Sequence, residues 1–177
     1  IVIFLFLSAG ATFFTLQNKV NSDPYDYFAE GVPVRDANDF ITDAVGGGRG
    51  VDIVVHTGED GGIKNPDFLK KLAEFQTWIE KQDYVTRTIS IANAIQSSHR
   101  SLNNEDQSYY RIPDTREAVS QLLLLYTMGL PEGMDISHQV NDEEEGVRLR
   151  VLWTISDSET WIVMGDLITA EAIKRGF

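Results

Sequence analysis

The sequence predicts an α+β domain whose sheet is covered on one side by helices. Three observations carry that expectation. Residues 51–91 read strand–helix–strand, residues 115–154 read helix followed by a β-hairpin, and a last amphipathic helix closes the chain. A strand with one apolar face must bury it against another layer, which these helices supply. Strand–helix–strand followed by strand–helix is the order of a split βαβ sandwich short of one strand. The fold is therefore expected to be incomplete at its C-terminal end.

The first stretch, Ile1 to Leu16, is apolar, and no charge appears before Lys19. A full membrane helix needs roughly 20 such residues, and a signal peptide would carry a basic leader that is absent here. Residues 1–17 thus read as the outer end of a transmembrane helix that begins outside the given sequence, and the chain as a fragment. Asn21-Ser-Asp-Pro24 marks an exit turn, with Tyr25, Tyr27 and Phe28 as the aromatics common at a membrane–water boundary. Val34 to Ala44 predicts a short helix anchored by Phe40 and Ile41. Gly46-Gly-Gly-Arg-Gly50 is a break; no strand precedes it and no Gly-Lys-Ser/Thr follows, so it is not a phosphate loop.

Val51 to Thr57 is a strand with Val51, Ile53 and Val55 on one face. Asn65 followed by Pro66 is a helix start, a capping side chain before proline at the first helical position. Phe68, Leu72, Phe75 and Ile79 then recur at helical spacing, widened by Leu69 and Trp78, with Lys70, Lys71, Glu74 and Lys81 on the wet side. Tyr84 to Ile91 alternates again, placing Val85, Ile89 and Ile91 on one face beside Arg87. Placing the two strands parallel in one sheet would require a right-handed crossover.

Ala92 to Arg111 is polar and reads as a loop with one helical turn near Ala94–Ser98. Pro113 and Asp114 open the next helix, with Asp114 and Glu117 at capping-box spacing. It runs through Val119, Leu122–Leu125 and Tyr126. Four consecutive leucines cover every side of a turn, which should therefore be buried all round. Gly129, in the left-handed cap position, and Pro131 stop it. Met134, Ile136 and His138 alternate with Asp135, Ser137 and Gln139, predicting a strand over Met134–Val140. Asn141-Asp-Glu-Glu-Glu-Gly146 turns it into a second strand, Gly146–Thr154, with Val147, Leu149, Val151 and Trp153 inward. Ser156 and Glu159 form a second capping box, and Trp161, Met164, Ile168 and Ala172 make the stripe of the final helix, beside Val163 and Leu167.

Composition limits function. The net charge of -12 argues against nucleic acid and against simple adhesion to an anionic membrane surface. With no cysteine, disulfides, thiolate catalysis and cysteine-held metal are excluded. The three histidines, His56, His99 and His138, lack metal-site spacing such as HExxH, and no Gly-x-Ser-x-Gly elbow exists. Asp135, Ser137 and His138 make a triad only on paper, because neighbours on a strand point to opposite faces. As a calcium loop, Asn141, Glu143, Glu145 and Gly146 fit positions one, three, five and six, but position twelve would be Leu152. No enzymatic activity, catalytic residue, cofactor or metal is expected.

Several segments together carry a resemblance. They are Asn21-Ser-Asp-Pro24 with Tyr27-Phe28, Asn65-Pro-Asp-Phe-Leu69, Trp78-Ile-Glu-Lys-Gln-Asp-Tyr-Val85 and Tyr109-Tyr-Arg-Ile-Pro113. The sharpest are Gln121-Leu-Leu-Leu-Leu-Tyr126 and Leu130-Pro-Glu-Gly-Met-Asp135, then Val140-Asn141 and Arg148. In order and spacing the chain resembles the extracytoplasmic loop of resistance–nodulation–division (RND) transporters of the MMPL type, over essentially its whole length. The resemblance implies a ferredoxin-like porter domain, residues 18–177, from the second half of a proton-driven exporter of lipids or other hydrophobic compounds. It places the protein in the bacterial inner membrane with this domain on the periplasmic side. Implied partners are a hydrophobic or lipid substrate, the membrane, the rest of the transporter chain, and a homo-oligomer or accessory proteins. The proton-relaying acids of such transporters lie in membrane helices, and Ile1–Leu16 holds no charge to match them. Substrate-contacting residues stay unassigned; Trp153, Trp161, Phe68 and Tyr126 are aromatic candidates, each of which reads first as core. The other function class compatible with these features is a membrane-anchored extracytoplasmic binding or scaffold module without transport.

Overall fold

The computed structural model of the chain describes residues 10–13, 15, 27–45 and 49–177. Its elements are α1 (Pro33–Val45), β1 (Arg49–His56), α2 (Pro66–Ile79), β2 (Val85–Ile89), α3 (Ile91–Leu102), α4 (Arg116–Met128), β3 (Gly146–Trp153) and α5 (Ser158–Lys174). The molecule is α+β, as the sequence predicts. The transmembrane reading of residues 1–17 falls largely outside the described residues. Residues 10–13 and 15 are helical, and no helix among the described residues is long and apolar enough to cross a membrane.

The three strands form one sheet in the order β1-β3-β2. β3 runs antiparallel to β1, from Arg49 opposite Trp153 to His56 opposite Gly146, and antiparallel to β2, from Val85 opposite Trp153 to Ile89 opposite Arg150. β1 and β2 therefore run the same way, with β3 between them. Strict alternation on β3 decides which face is covered: Val147, Leu149, Val151 and Trp153 are fully buried, while Arg148, Arg150 and Leu152 point the other way. The buried face joins Leu69, Leu72, Phe75 and Ile79 of α2, Ile91 and Ile95 of α3, Val119 and Leu122 of α4, and Met164 and Ile168 of α5 in one core. Each such apolar side chain contributes about 1.5–3 kcal/mol on leaving water.

Caps show why the helices begin where they do. Asn65 Oδ1 accepts the Asp67 amide at 2.9 Å, with Pro66 at the first helical position of α2, as expected. The other predicted starts shift by one residue. Thr115, not Asp114, caps α4, because the Asp114 carboxylate is taken by Lys70 at 2.8 Å and Arg111 at 3.1 Å. Asp157, not Ser156, caps α5 through the Thr160 amide at 2.7 Å.

Further expectations are overturned. The polar stretch after β2 is not a loop but α3, opened by a reciprocal capping box between Ser90 and Asn93 and held by Ile91, Ala92 and Ile95 at 0% exposure. Such a helix is stabilised by packing rather than by its composition. On β2 a register shift between Val85 and Arg87 turns Thr88 inward and leaves Ile89 39% exposed on the outer face, so the expected Val85–Ile89–Ile91 face does not exist. The leucine turn is buried on one side only: Leu122 and Leu123 are 4% and 5% exposed, Leu124 and Leu125 are 61% and 48%. Gly129 caps α4 with φ -84, and the left-handed glycine is Gly133, at φ 85 in the following turn.

Another correction concerns Met134–Val140, which is not a strand. Asp135 Oδ1 accepts the Ser137 amide at 2.9 Å, and the Gln139 and Val140 amides both return to the Ile136 carbonyl, so local turns replace the ladder. Only Val140 pairs, as an isolated bridge to Val147. In α1, the helix forms as predicted, but its expected anchors Phe40 and Ile41 are 72% and 46% exposed.

Candidate functional site

Among the described residues, three concave surfaces around the covered core are candidate sites. The first lies on the outer sheet face, where β1 and β3 bring Asp52 beside Arg148 and Arg150. Asp52 is hydrogen-bonded by Arg148 and by Arg150 Nε at 2.9 Å, and these arginines hold its carboxyl well below the usual carboxylate range. The same contact pushes Arg150 up. Arg148 also donates to the His138 carbonyl at 3.3 Å. The 134–140 segment therefore folds over the end of this face, leaving a cleft of about 300 Å³ lined by Val54, His56, His138 and Arg148. Both arginines are already engaged, so the cluster reads as a cross-strand staple.

The second surface is a polar cleft of about 600 Å³ between α2, β2 and α3, lined by Gln76, Glu80, Arg87, Asn93, Gln96 and Tyr110. Its floor is a satisfied network. Gln76 Nε2 donates to Thr88 Oγ1 at 3.1 Å and to Asn93 Oδ1 at 2.8 Å, and Ser90 Oγ donates to Gln76 Oε1 at 2.8 Å. Glu80 accepts both the Thr88 amide at 2.9 Å and its hydroxyl at 2.7 Å, which closes this edge of the sheet. Gln76, Thr88 and Ser90 are buried, at 4%, 3% and 1% exposure. Buried polar groups with every partner present fix a single arrangement of the elements that carry them.

The third surface is an apolar groove of about 560 Å³ between α5 and the α2–β2 turn, with Tyr84, Val163, Met164 and Leu167 along it. Hydrophobe sites are concave, mostly apolar and of this size. Among the three, this groove alone combines an apolar floor on a helix with an open mouth that a greasy molecule can enter.

The aromatic candidates separate clearly. Trp153 is fully buried; Phe68 and Tyr126 are partly buried against the core, with Phe68 edge-on to Phe177 at 6.0 Å. Trp161 is 38% exposed and packs edge-to-face on Trp153 at 5.2 Å. None of the four lines the groove. Sequence reasoning missed Tyr84, whose φ of 67 on a bulky residue is an outlier that no local pattern announces. It had placed Val163 and Leu167 only beside the buried stripe; they are 59% and 41% exposed.

The remaining chemistry stays apart. Ser137 donates to Asp135, and His138 Nε2 meets Gln139 Nε2 of the neighbouring side chain at 3.1 Å, so no Ser–His pair forms there. The strand geometry first invoked against that pair does not hold; these local partners replace it. His99 Nδ1 contacts the Arg111 carbonyl at 2.8 Å. The acidic turn is turned inward on itself: Asn141 Oδ1 accepts the Glu145 amide at 2.9 Å and the Gly146 amide at 2.6 Å, and Glu144 pairs with Lys64. Among the described residues no group of three or more His, Asp or Glu is placed to hold a metal ion.

Comparison with models of protein families, with curated proteins and with solved structures found no match.

Proposed function

We propose that the chain is a ferredoxin-like porter domain of an RND-type, MMPL-like exporter, forming one wall of a path for lipids or other hydrophobic compounds. The observation that carries this reading is the strand order. β1 and β2 run parallel around an antiparallel β3, and among the described residues no strand pairs with the other edge of β1. That is the arrangement expected of a split βαβ unit with room for one more strand. The apolar N-terminal stretch and the groove on α5 supply a membrane-side anchor and a hydrophobe-sized surface. In this reading the domain moves as a rigid body during alternating access, guiding the substrate while proton coupling takes place in membrane helices elsewhere.

The test is export of a labelled lipid or dye from proteoliposomes of the intact transporter, with and without a proton gradient. Gradient-dependent movement supports the proposal. No such movement across a broad substrate panel would overturn it and leave the membrane-anchored binding module.

A further inference from the structure

Helix α1 is turned inside out. At about 100° per residue, Val34, Ala37, Phe40, Ile41 and Ala44 fall within an arc of about 120°, a complete apolar stripe. A surface helix of a globular domain lays such a stripe on the core. Here all five are exposed, Phe40 at 72%, Ile41 at 46% and Val34 at 44%, and among the described residues the core takes nothing from α1. The half-buried positions are the polar ones Arg35, Asn38 and Thr42. The polar side is also tied down: Arg35 Nη1 donates to the Phe28 carbonyl at 2.8 Å, and Asp36 Oδ1 accepts the Gly31 amide at 3.2 Å.

The rest of the chain indicates what the stripe faces. Residues 1–16 are a charge-free apolar run, and the sixteen residues 17–32 that join it to α1 can span at most about 55 Å. That linker presents Tyr27, 79% exposed, a ring type that settles at the headgroup level of a bilayer. The polar side of α1 carries Arg35 against Asp36 and Asp39, so it offers no net attraction to anionic lipid. Any hold on a membrane comes from the apolar stripe.

We propose that α1 lies in the surface of a zwitterionic bilayer, with Val34, Ala37, Phe40, Ile41 and Ala44 against the acyl chains and Arg35, Asp36 and Asp39 toward water. An amphipathic helix held this way lies along the interface rather than across it. The proposal rests on the reading of residues 1–17 as the end of a membrane helix, and adds a second contact that sets the domain's height above the bilayer.

The chain has no cysteine, so single substitutions give unique labelling sites. The full chain is placed in phosphatidylcholine nanodiscs with a nitroxide at Val34→Cys, Ala37→Cys, Ile41→Cys or Ala44→Cys on the stripe, and at Asp36→Cys or Asp39→Cys on the polar side. Collision with oxygen reports lipid, and collision with a water-soluble nickel chelate reports water. Ser8→Cys reports on the apolar run independently, and Asp142→Cys is the aqueous reference. The stripe labels should favour oxygen and the polar labels the chelate, alternating with the helical period. Phe40→Gln with Ile41→Gln keeps good helix formers at positions outside the core. It should leave the circular dichroism melt unchanged and abolish the oxygen preference at Ala37→Cys and Ala44→Cys.

Stripe labels that meet the chelate while Ser8→Cys meets oxygen would overturn this inference alone. Stripe labels shielded from both reagents would overturn it in favour of a protein surface. If Ser8→Cys also meets the chelate, the membrane reading falls with it.

Discussion

Replacing Gln76 by methionine tests whether the buried network holds α2, β2 and α3 together. The side chain is 4% exposed and makes three hydrogen bonds, of 3.1, 2.8 and 2.8 Å. After Gln76→Met, Thr88 Oγ1 still donates to Glu80, and Asn93 Oδ1 still accepts the Ser90 amide at 2.9 Å. Ser90 Oγ, on a residue 1% exposed, is left as a buried donor without its acceptor. An orphaned buried group costs about 1–3 kcal/mol and each lost neutral bond about 0.5–1.5 kcal/mol, so the expected loss is about 2–4 kcal/mol. For a chain of this size that lowers Tm by about 2–4 °C per kcal/mol.

The decisive measurement is a double-mutant cycle by urea unfolding, followed by tryptophan fluorescence. Ser90→Ala alone removes the cap on the Ala92 amide, 3.1 Å away, and strands Gln76 Oε1. The double variant leaves neither group stranded, so its loss should fall short of the sum by about 1–2 kcal/mol. A Gln76→Met loss under about 1 kcal/mol, or single losses that add, would refute the claim that these groups are mutually dependent.

Three further outcomes follow from the same contacts. Leu122→Ala should cost about 2–5 kcal/mol and Leu124→Ala under about 0.5 kcal/mol in urea unfolding, because only Leu122 leaves a cavity. Asp52→Asn should cost about 1 kcal/mol or less at neutral pH, since the pair is partly exposed. Its folded pKa is depressed, so this stability is complete above the unfolded value of about 4 and is lost as pH falls below it. The Asn variant should therefore show a shallower acid limb than the parent in unfolding followed by circular dichroism. Gly62→Ala should destabilise by about 1–3 kcal/mol, because its Cβ would sit 2.5 Å from Thr57 Cβ; a tolerated alanine would show that the turn beside β1 can shift.

Period and caps were legible wherever one strong signal stood alone. Asn65-Pro66 announced α2, and the alternation Val147–Trp153 announced the central strand with its buried face. α3 was hidden because three apolar residues, Ile91, Ala92 and Ile95, do most of the packing while most of the remaining positions, from Asn93 to Ser101, are polar. The segment 134–140 alternates like a strand, yet the Asp135 side chain captures the Ser137 amide and settles the competition locally. Of the groove, the sequence offered Val163 and Leu167 only as neighbours of a buried stripe. Nothing in the local pattern joins them to Asp83 and Tyr84, about eighty positions earlier.

Sequence alone determined the α+β class, the strand–helix–strand order that the structure shows from β1 through α2 to β2, and the inward residues of the central strand, because periodicity and capping act over a few residues. Tertiary structure decided which side of the leucine turn is buried, where β2 changes face, and which α5 residues meet the α2–β2 turn. Those outcomes depend on what lies opposite each side chain once the sheet is assembled, and partners distant in the chain leave no mark on local spacing.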